Sequence, residues 1–143
     1  MRDDDFERLY AAEAQGLFGF LAYRTGDRAL AEDLLADTFE RALRARRGFD
    51  RRRGTERNWL YAIALNLLRD HARRAATEGR AVERVRSGAA SASESGAEEE
   101  REAIALRFGA ELTVPEMAGL LGLPLSTVEG RVYRALRKLK ERL

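Results

Sequence analysis

Apolar residues recur at helical spacing through most of the chain, and no segment shows the alternation of a strand. The first such segment spans residues 5–24, the second 28–46 after a break at Gly26-Asp27, and the third starts near Glu56 or Arg57 and continues to about Ala76. A period of about 3.6 residues gives each segment one apolar stripe, so the pattern predicts three amphipathic helices that pack together. The apolar positions of these stripes are Phe6, Leu9, Tyr10, Leu17, Phe18, Leu21, Leu30, Leu34, Leu35, Thr38, Ala42, Leu43, Trp59, Leu60, Ile63, Leu67 and Leu68.

Residues 113–139 have the pattern of a helix-turn-helix. Thr113 and Glu116 are spaced as a capping box at the start of the first helix, with Pro115 in its first turn. Gly122 stands where a tight turn needs a residue that tolerates positive φ, and Val128 follows at a position that the two helices bury. We therefore expect two short helices that cross closely at this turn.

The second helix of this pair is basic. Ser126 and Glu129 repeat the capping-box spacing at its expected start, and a series of cations follows: Arg131, Arg134, Arg137, Lys138 and Lys140. A basic helix behind a glycine turn is the arrangement that enters a DNA major groove. The alternative is a helical hairpin whose charges only face solvent.

Residues 77–97 interrupt the helical pattern with small polar residues, SGAASASESGA among them. Such a composition is typical of a flexible linker. The helical pattern resumes at Glu98, where three successive glutamates complement the positive end of a helix dipole. The sequence thus predicts an all-α protein with an N-terminal domain at 1–76, a linker at 77–97 and a C-terminal domain at 98–143.

Basic residues are concentrated in two clusters, although the formal net charge of the 143 residues is only +2. Eight arginines lie within 41–57, and six basic residues lie within 129–143. Acidic stretches separate these clusters. Two separate basic clusters predict two contacts with a polyanion such as nucleic acid.

Composition argues against most catalytic chemistry. The chain has no cysteine, and His71 is its only histidine. We find no nucleophile–base pair, no metal-ligand cluster and no phosphate-binding glycine loop, so we expect neither an enzyme nor a cofactor. The acidic start MRDDDFERLY lacks a hydrophobic signal segment, and no apolar run reaches membrane-spanning length, which predicts a cytoplasmic protein.

Three passages together resemble the extracytoplasmic-function (ECF) sigma factors of the sigma-70 family. GDRALAEDLLADTFERAL resembles the helix of sigma region 2 that docks on RNA polymerase. FDRRRGTERNWLYAIALNLLRDHARR resembles the segment that reads the −10 element and melts the promoter, and LRFGAELTVPEMAGLLGLPLSTVEGRVYRALRKL resembles the region 4 domain that reads the −35 element. The resemblance implies a dissociable subunit that directs core polymerase to particular promoters.

By this resemblance, helix 28–46 docks on the β′ clamp helices of bacterial core RNA polymerase. Its acidic outward face suits a partner surface, although ordinary amphipathic packing is the alternative. The residues expected to contact polymerase are Asp33, Leu34, Asp37, Phe39 and Glu40. The family also implies a contact with the β flap and, in many members, an inhibitory anti-sigma factor.

The loop at 48–58 is expected to handle separated promoter DNA, because relatives capture a base flipped out of the non-template strand there. Phe49 is expected to line the base pocket and the arginines to hold phosphates, whereas Trp59 is expected in the core. Asn66 matches the amide that faces the upstream edge of the −10 element. The −10 candidates are Phe49, Arg51, Arg52, Arg53, Arg57, Asn66, Arg69 and Arg73.

The −35 candidates lie at the start of the recognition helix: Ser126, Thr127, Glu129, Gly130, Arg131 and Arg134. Glu129 departs from the basic residue of many relatives, and it either accepts from a base amino group or only completes the capping box. A second departure is that 91–96 lacks the usual helix and Leu-Pro segment, which predicts a C-terminal domain with part of its core missing. Two other functions therefore remain open: a stand-alone helix-turn-helix regulator, and a sigma-like adaptor that binds polymerase without initiating.

Overall fold

The structure is a computed structural model that describes residues 1–83 and 92–143, with side chains at 1–78 and 96–143. Within these residues every regular element is helical, as the sequence predicts. The α-helices are α1 (Asp3–Thr25), α2 (Arg28–Ala45), α3 (Glu56–Glu83), α4 (Ala92–Ile104), α5 (Val114–Leu121) and α6 (Leu125–Arg142). None of the described helices is long and apolar enough to cross a membrane.

Helices α1–α3 form the N-terminal bundle. The predicted break between α1 and α2 is confirmed: Gly26 ends α1 with a φ of 66°, and the Asp27 carboxylate accepts a hydrogen bond of 3.2 Å from the Leu30 amide. Predicted stripe positions such as Leu17, Leu21 and Leu60 are fully buried. The periodicity missed Phe20 and Tyr61, whose buried rings pack edge-to-face with centroids 5.9 Å apart.

Helices α4–α6 and a π-helical turn at Ala105–Gly109 form the C-terminal bundle. The capping box at the start of α5 is confirmed, with Thr113 Oγ1 3.2 Å from the Glu116 amide and Glu116 Oε1 3.0 Å from the Thr113 amide. Gly122 has a φ of 66° and Val128 is fully buried, both as predicted.

The predicted capping box at Ser126 and Glu129 is wrong. Helix α6 begins at Leu125 behind Pro124, and no side chain caps it. Ser126 already has a place in the first helical turn, so its hydroxyl is not at the N-cap position, from which it would reach the free amides. Glu129 is consequently exposed without a capping role.

The helices next to the predicted linker extend further than the pattern indicated. Helix α3 continues to Glu83 rather than ending at about Ala76, and α4 begins at Ala92 rather than at Glu98. Alanine, arginine and glutamate are strong helix formers. They extend both helices into the segment that its small polar residues had indicated to be a linker. Residues 92–97 are thus the first turns of α4 itself and not a separate helix before it. Residues 84–91 of the predicted linker lie outside the described residues.

The two bundles pack against each other, which the tethered-domain plan did not predict. Helix α1 contacts the π-helical turn, and α3 contacts α5. Apolar residues of both bundles join in one hydrophobic core, in which Leu106, Leu112 and Met117 from the C-terminal bundle are fully buried. The packing brings the arginine-rich loop before α3 close to the helix-turn-helix.

Gly122→Ala is expected to lower the free energy of unfolding by about 1 kcal/mol, because an L-residue with a Cβ is strained at positive φ. The matched control is Gly96→Ala within α4, where a methyl group meets nothing within 4 Å. This change is expected to stabilise by about 0.5–1 kcal/mol, since glycine is a poor helix former. Urea unfolding of both variants measures these changes in stability. Equal shifts of the two midpoints would contradict the role of Gly122.

Candidate nucleic-acid interface

The arginine-rich loop between α2 and α3 consists of two short 3₁₀ turns, Arg46–Gly48 and Arg51–Arg53. The Asp50 carboxylate accepts a 2.9 Å hydrogen bond from the Arg52 amide and so shapes the second turn. All three side chains of this turn are exposed. Arg51 lies 3.5 Å from Glu56, whereas no carboxylate of the described residues pairs with Arg52 or Arg53. The loop therefore presents cations to solvent at a defined place.

An aromatic pair lies beside these arginines. The rings of Phe49 and Trp59 have centroids 5.3 Å apart and a tilt of 58°, and both side chains are half-buried. They line a cleft of about 440 Å³ together with Arg53, Thr55 and Leu120. Trp59 packs against the core, as expected, and also lines this cleft. Aromatic surface next to free cations is the combination that binds an unstacked base and its phosphates.

Arg57, at the start of α3, is not free in the way the sequence suggested. Its Nε donates to Glu13 Oε2 at 3.1 Å, and its Nη2 and Nη1 donate to the carbonyl groups of Ala110 and Glu111 in the C-terminal bundle. Burial and the Glu13 carboxylate raise the pKa of the neighbouring Tyr61 phenol well above its ordinary value. Arg57 is thus part of a charged network between the bundles.

The remaining −10 candidates share one exposed side of α3. Asn66, Arg69 and Arg73 recur at spacings of three and four residues, which places them along one face of the helix. Arg69 lies 3.5 Å from Glu102 of α4, and Arg73 pairs with Asp70 on its own helix. The structure brings these three side chains together and leaves Asn66 exposed.

Acidic residues of α4 accompany the basic side of α6. Arg131 lies 3.5 Å from Glu99 and has a side chain only 17% exposed. Arg134 Nε lies 3.8 Å from Glu100, whose other oxygen lies 2.6 Å from Lys138. The two arginines expected to read the −35 element therefore lie beside α4, where carboxylates partly neutralise them.

The solvent-facing side of α6 contains two other −35 candidates, Ser126 and Glu129, and one residue that the sequence analysis missed. Thr127 lies four and seven residues before Arg131 and Arg134 and shares their face. Ser126 and Glu129 are exposed, whereas Thr127 and Gly130 are half-buried. Tyr133 is 66% exposed and lies seven residues after Ser126, on the same face. An exposed tyrosine at this spacing was a signal available in the sequence. Tyr133 is a further candidate for contact with a base or a phosphate.

Helix α2, the expected docking helix, exposes its predicted acidic residues but buries the predicted apolar ones. Asp33, Asp37 and Glu40 are exposed, and Glu40 lies 2.6 Å from Arg44. Leu34 and Phe39 are 6% and 7% exposed, because both face the core of the bundle. Phe39 packs edge-to-face on Phe6 and Tyr10. These two residues support the acidic face from beneath, and their contact with polymerase stays a prediction.

No group of His, Asp or Glu side chains among the described residues is arranged to hold a metal ion.

Comparison with known proteins identifies two successive family regions. The family described as Sigma-70 region 2 matches residues 9–78, and Sigma-70, region 4 matches residues 97–139. The ECF RNA polymerase sigma factor BldN of Streptomyces coelicolor is 31% identical over 156 residues, covering 95% of this chain and 59% of that protein. The RNA polymerase sigma factor CarQ of Myxococcus xanthus is 44% identical over 68 residues, covering 47% of this chain and 38% of that protein. The chain thus spans less than two thirds of the length of both relatives.

Solved structures share the fold. The sigma factor RpoE in complex with the anti-sigma factor NepR from Bartonella quintana superposes with a TM-score of 0.80 at 22% identity, covering 96% of each chain. CnrH in complex with the cytosolic domain of CnrY superposes with a TM-score of 0.71 at 28% identity, covering 98% of this chain and 88% of that one. With the two family matches, the chain belongs to the ECF sigma factors of the sigma-70 family, with region 2 followed by region 4.

Proposed function

We propose that this chain binds bacterial core RNA polymerase and directs it to promoters by reading −35 and −10 elements and holding the melted non-template strand. The observation that carries the proposal is the combination, in one chain, of an acidic helix face, an aromatic cleft with free arginines and a basic helix-turn-helix. The chain then works in the cytoplasm, where the polymerase is.

Polymerase docking is assigned to the exposed acidic face of α2. Asp33, Asp37 and Glu40 lie within about 60° of each other around the helix axis and offer charge to a basic partner surface. The proposed partner is the β′ clamp helices. Leu34 and Phe39 keep this face in place through the core below it.

Promoter melting is assigned to the loop at 48–58 and the exposed face of α3. The cleft beside Phe49 and Trp59 is large enough for a nucleobase, and Arg52 and Arg53 are available for its phosphates. Extruding a base costs a few kcal/mol, which stacking and phosphate contacts in this cleft offset. Asn66 is placed to hydrogen-bond a base edge further along α3.

Reading of the −35 element is assigned to the first turns of α6. The first turns of α6, directly after the tight turn, contain Ser126, Thr127, Glu129 and Gly130. Arg131 and Arg134 follow along the same helix. An arginine in the major groove recognises guanine through two hydrogen bonds. Region 4 is also proposed to contact the polymerase β flap.

An anti-sigma factor is a further proposed partner. A groove of about 140 Å³ between Tyr23 of α1, Ile104 of α4 and Leu139 of α6 spans both regions, and charged as well as apolar side chains line it. Exposed apolar side chains of α6, among them Leu136 and Leu139, continue it. RpoE of Bartonella quintana binds the anti-sigma factor NepR, and CnrH binds the cytosolic domain of CnrY, which supports a protein partner for this chain.

In vitro transcription tests the proposed function. Purified chain is added to bacterial core RNA polymerase and a library of genomic promoter fragments, and transcripts that require the chain are sequenced. Discrete start sites preceded by shared −35 and −10 sequences are expected. Polymerase binding without specific transcripts would favour the adaptor instead, and duplex binding without polymerase would favour a stand-alone regulator.

Replacing Arg51, Arg52 and Arg53 by alanine is expected to weaken open complexes and to lower their salt dependence. Each lost contact with a single-strand phosphate reduces the slope of log K against log salt by about 0.7, so the triple variant loses up to about 2. The measurement is open-complex formation across a range of salt concentrations. Arg8→Ala on α1, where Arg8 pairs with Asp5, is the control, and an equal loss of slope there would contradict the assignment.

A further inference from the structure

Gly130 lies well inside α6, where a glycine weakens the helix. A glycine in a helix interior is less favourable than alanine, because it loses more backbone freedom on folding. Among the described residues, the glycines with positive φ are Gly26, Gly54 and Gly122. The backbone at Gly130 therefore does not require a glycine. The reason for this residue must lie in the space that the missing Cβ leaves.

The guanidinium group of Arg134, one helical turn later, occupies this space. A Cβ built on Gly130 would lie 3.1 Å from Nη1, 3.7 Å from Nη2 and 3.8 Å from Cζ of Arg134. No other glycine whose surroundings the structure describes has so close a neighbour at its Cβ position. Side chains of a helix point back toward its N-terminus, so residues four apart meet. The Arg134 guanidinium thus packs directly on the backbone of Gly130.

A carboxylate of α4 lies beside the same guanidinium group. Glu100 Oε1 is 3.8 Å from Arg134 Nε, and Glu100 Oε2 is 2.6 Å from Lys138 Nζ. The Glu100 side chain is largely buried, so its own position is restricted by its surroundings. The contact of Glu100 is with the Nε edge of Arg134. The two Nη groups remain available, and they form a pair of donors able to bind one guanine.

The other arginine of this face is less accessible. Arg131 has a side chain only 17% exposed and lies 3.5 Å from Glu99, whereas the side chain of Arg134 is 57% exposed. Arg134 therefore has the larger surface for DNA. A long side chain that is already held in one arrangement loses less conformational freedom on binding, and its contact with a base is more precise.

We propose that Gly130 and Glu100 are positioning residues that hold the Arg134 guanidinium for one G·C pair of the −35 element. Gly130, predicted above as a direct contact of the −35 element, then acts through Arg134 and not by touching DNA itself. The proposal deepens the proposed function and rests on it for the DNA step. The position of the guanidinium group is testable in the free chain, without promoter or polymerase.

Heteronuclear NMR of the arginine side chains tests this position in the free full-length chain. The Nε–H signal of Arg134, identified by its loss in Arg134→Ala, is expected to differ in shift from free arginine. Gly130→Ala is expected to move it toward the free value, because the added methyl group displaces the guanidinium. Gly96→Ala, whose methyl group meets nothing within 4 Å, is the matched control. An Arg134 signal that Gly130→Ala leaves unchanged would overturn the proposal.

Urea unfolding shows whether Gly130→Ala disturbs the fold. Alanine favours a helix over glycine, and the flexible Arg134 side chain is able to move aside, so the midpoint of unfolding is expected to rise. A loss of activity in this variant then does not come from unfolding. A lowered midpoint would show that the methyl group strains the fold and would overturn this packing.

Promoter-specific transcription tests the reading, using wild type, Gly130→Ala, Arg134→Ala and the double variant with core polymerase. On −35-dependent promoters Gly130→Ala is expected to lower initiation about five- to tenfold, as for one weakened base contact. In the Arg134→Ala background the same change is expected to have no effect, because the displaced group is absent. Equal losses in both backgrounds would show that residue 130 meets DNA directly and would overturn the proposal. A wild-type chain without specific transcripts would overturn the proposed function instead.

Base preference separates the role of Glu100 from its charge. The relevant base pair is the −35 position at which Arg134→Ala loses discrimination. Glu100→Gln is expected to lower the preference for G·C there by at least about threefold, because it releases the Arg134 guanidinium. Glu141→Gln removes the same charge from α6, where Glu141 pairs with Arg137, and is expected to leave the preference unchanged. Equal preferences in the two variants would remove Glu100 from the positioning of Arg134.

Discussion

Asp37→Arg is expected to weaken binding of the chain to core RNA polymerase by at least about tenfold while leaving its helical content unchanged. Asp37 is exposed at the centre of the acidic face of α2, so the substitution does not alter the core. An arginine there places like charges together in the complex, which costs several kcal/mol, and about 1.4 kcal/mol already corresponds to tenfold in affinity. Titration of labelled chain with core polymerase measures the effect.

Glu32→Arg is the control for this experiment. Glu32 is also exposed on α2, but it lies about 100° around the helix axis from Asp33, away from the centre of the acidic face. The same change of charge is therefore expected to have a much smaller effect on affinity. Equal losses for the two variants would point to net charge rather than docking, and unchanged affinity of Asp37→Arg would remove α2 as the docking site.

Replacing Arg131 and Arg134 together by alanine is expected to reduce transcription from promoters that depend on the −35 element. Each lost base contact costs about 1–3 kcal/mol, so the combined loss reaches tens- to thousands-fold if both arginines read bases. Promoters that do not need a −35 element are expected to keep their activity. Equal activity of variant and wild type on −35-dependent promoters would remove this face of α6 from DNA reading.

The structure adds a control that this double variant requires. Arg131 and Arg134 also pair with Glu99 and Glu100 of α4, so their removal leaves acidic side chains facing the helix. Pairs of this partly exposed kind contribute about 0–1 kcal/mol each, which thermal unfolding reveals. Arg107→Ala, in the π-helical turn, removes one cation from region 4 outside the helix-turn-helix and controls for net charge.

The local chemistry of the helix-turn-helix was accessible from the sequence because it depends on neighbours along the chain. The capping box of Thr113 and Glu116 and the left-handed Gly122 are set by residues within one helical turn. The bounds of α2 follow from Asp27 at its start and the apolar stripe behind it. The same local reasoning failed at Ser126, because α6 begins at Leu125 behind Pro124, two residues earlier than an N-cap at Ser126 implies.

Periodicity was a weaker guide to the surfaces of the helices. Leu34 and Phe39 face the core although they stand next to the exposed acids of α2, because neighbours on a helix point about 100° apart. Phe20 and Tyr61 fill the core from positions that the stripes omitted, since packing of rings depends on the facing helices. The apolar stripe of a single helix does not show which residues of the facing helices it meets.

The sequence by itself determined the all-helical class, the order of the two regions, the family and the basic character of two surfaces. Each of these depends on residue type and on spacing along the chain. Only the tertiary structure decided that regions 2 and 4 pack together, with Arg57 and Asn58 bound to carbonyls more than fifty residues away. Backbone carbonyls carry no residue signature, and contacts over such separations depend on how whole helices pack. For this reason the sequence showed which groups are able to bind DNA, and the structure showed that some of them are already occupied.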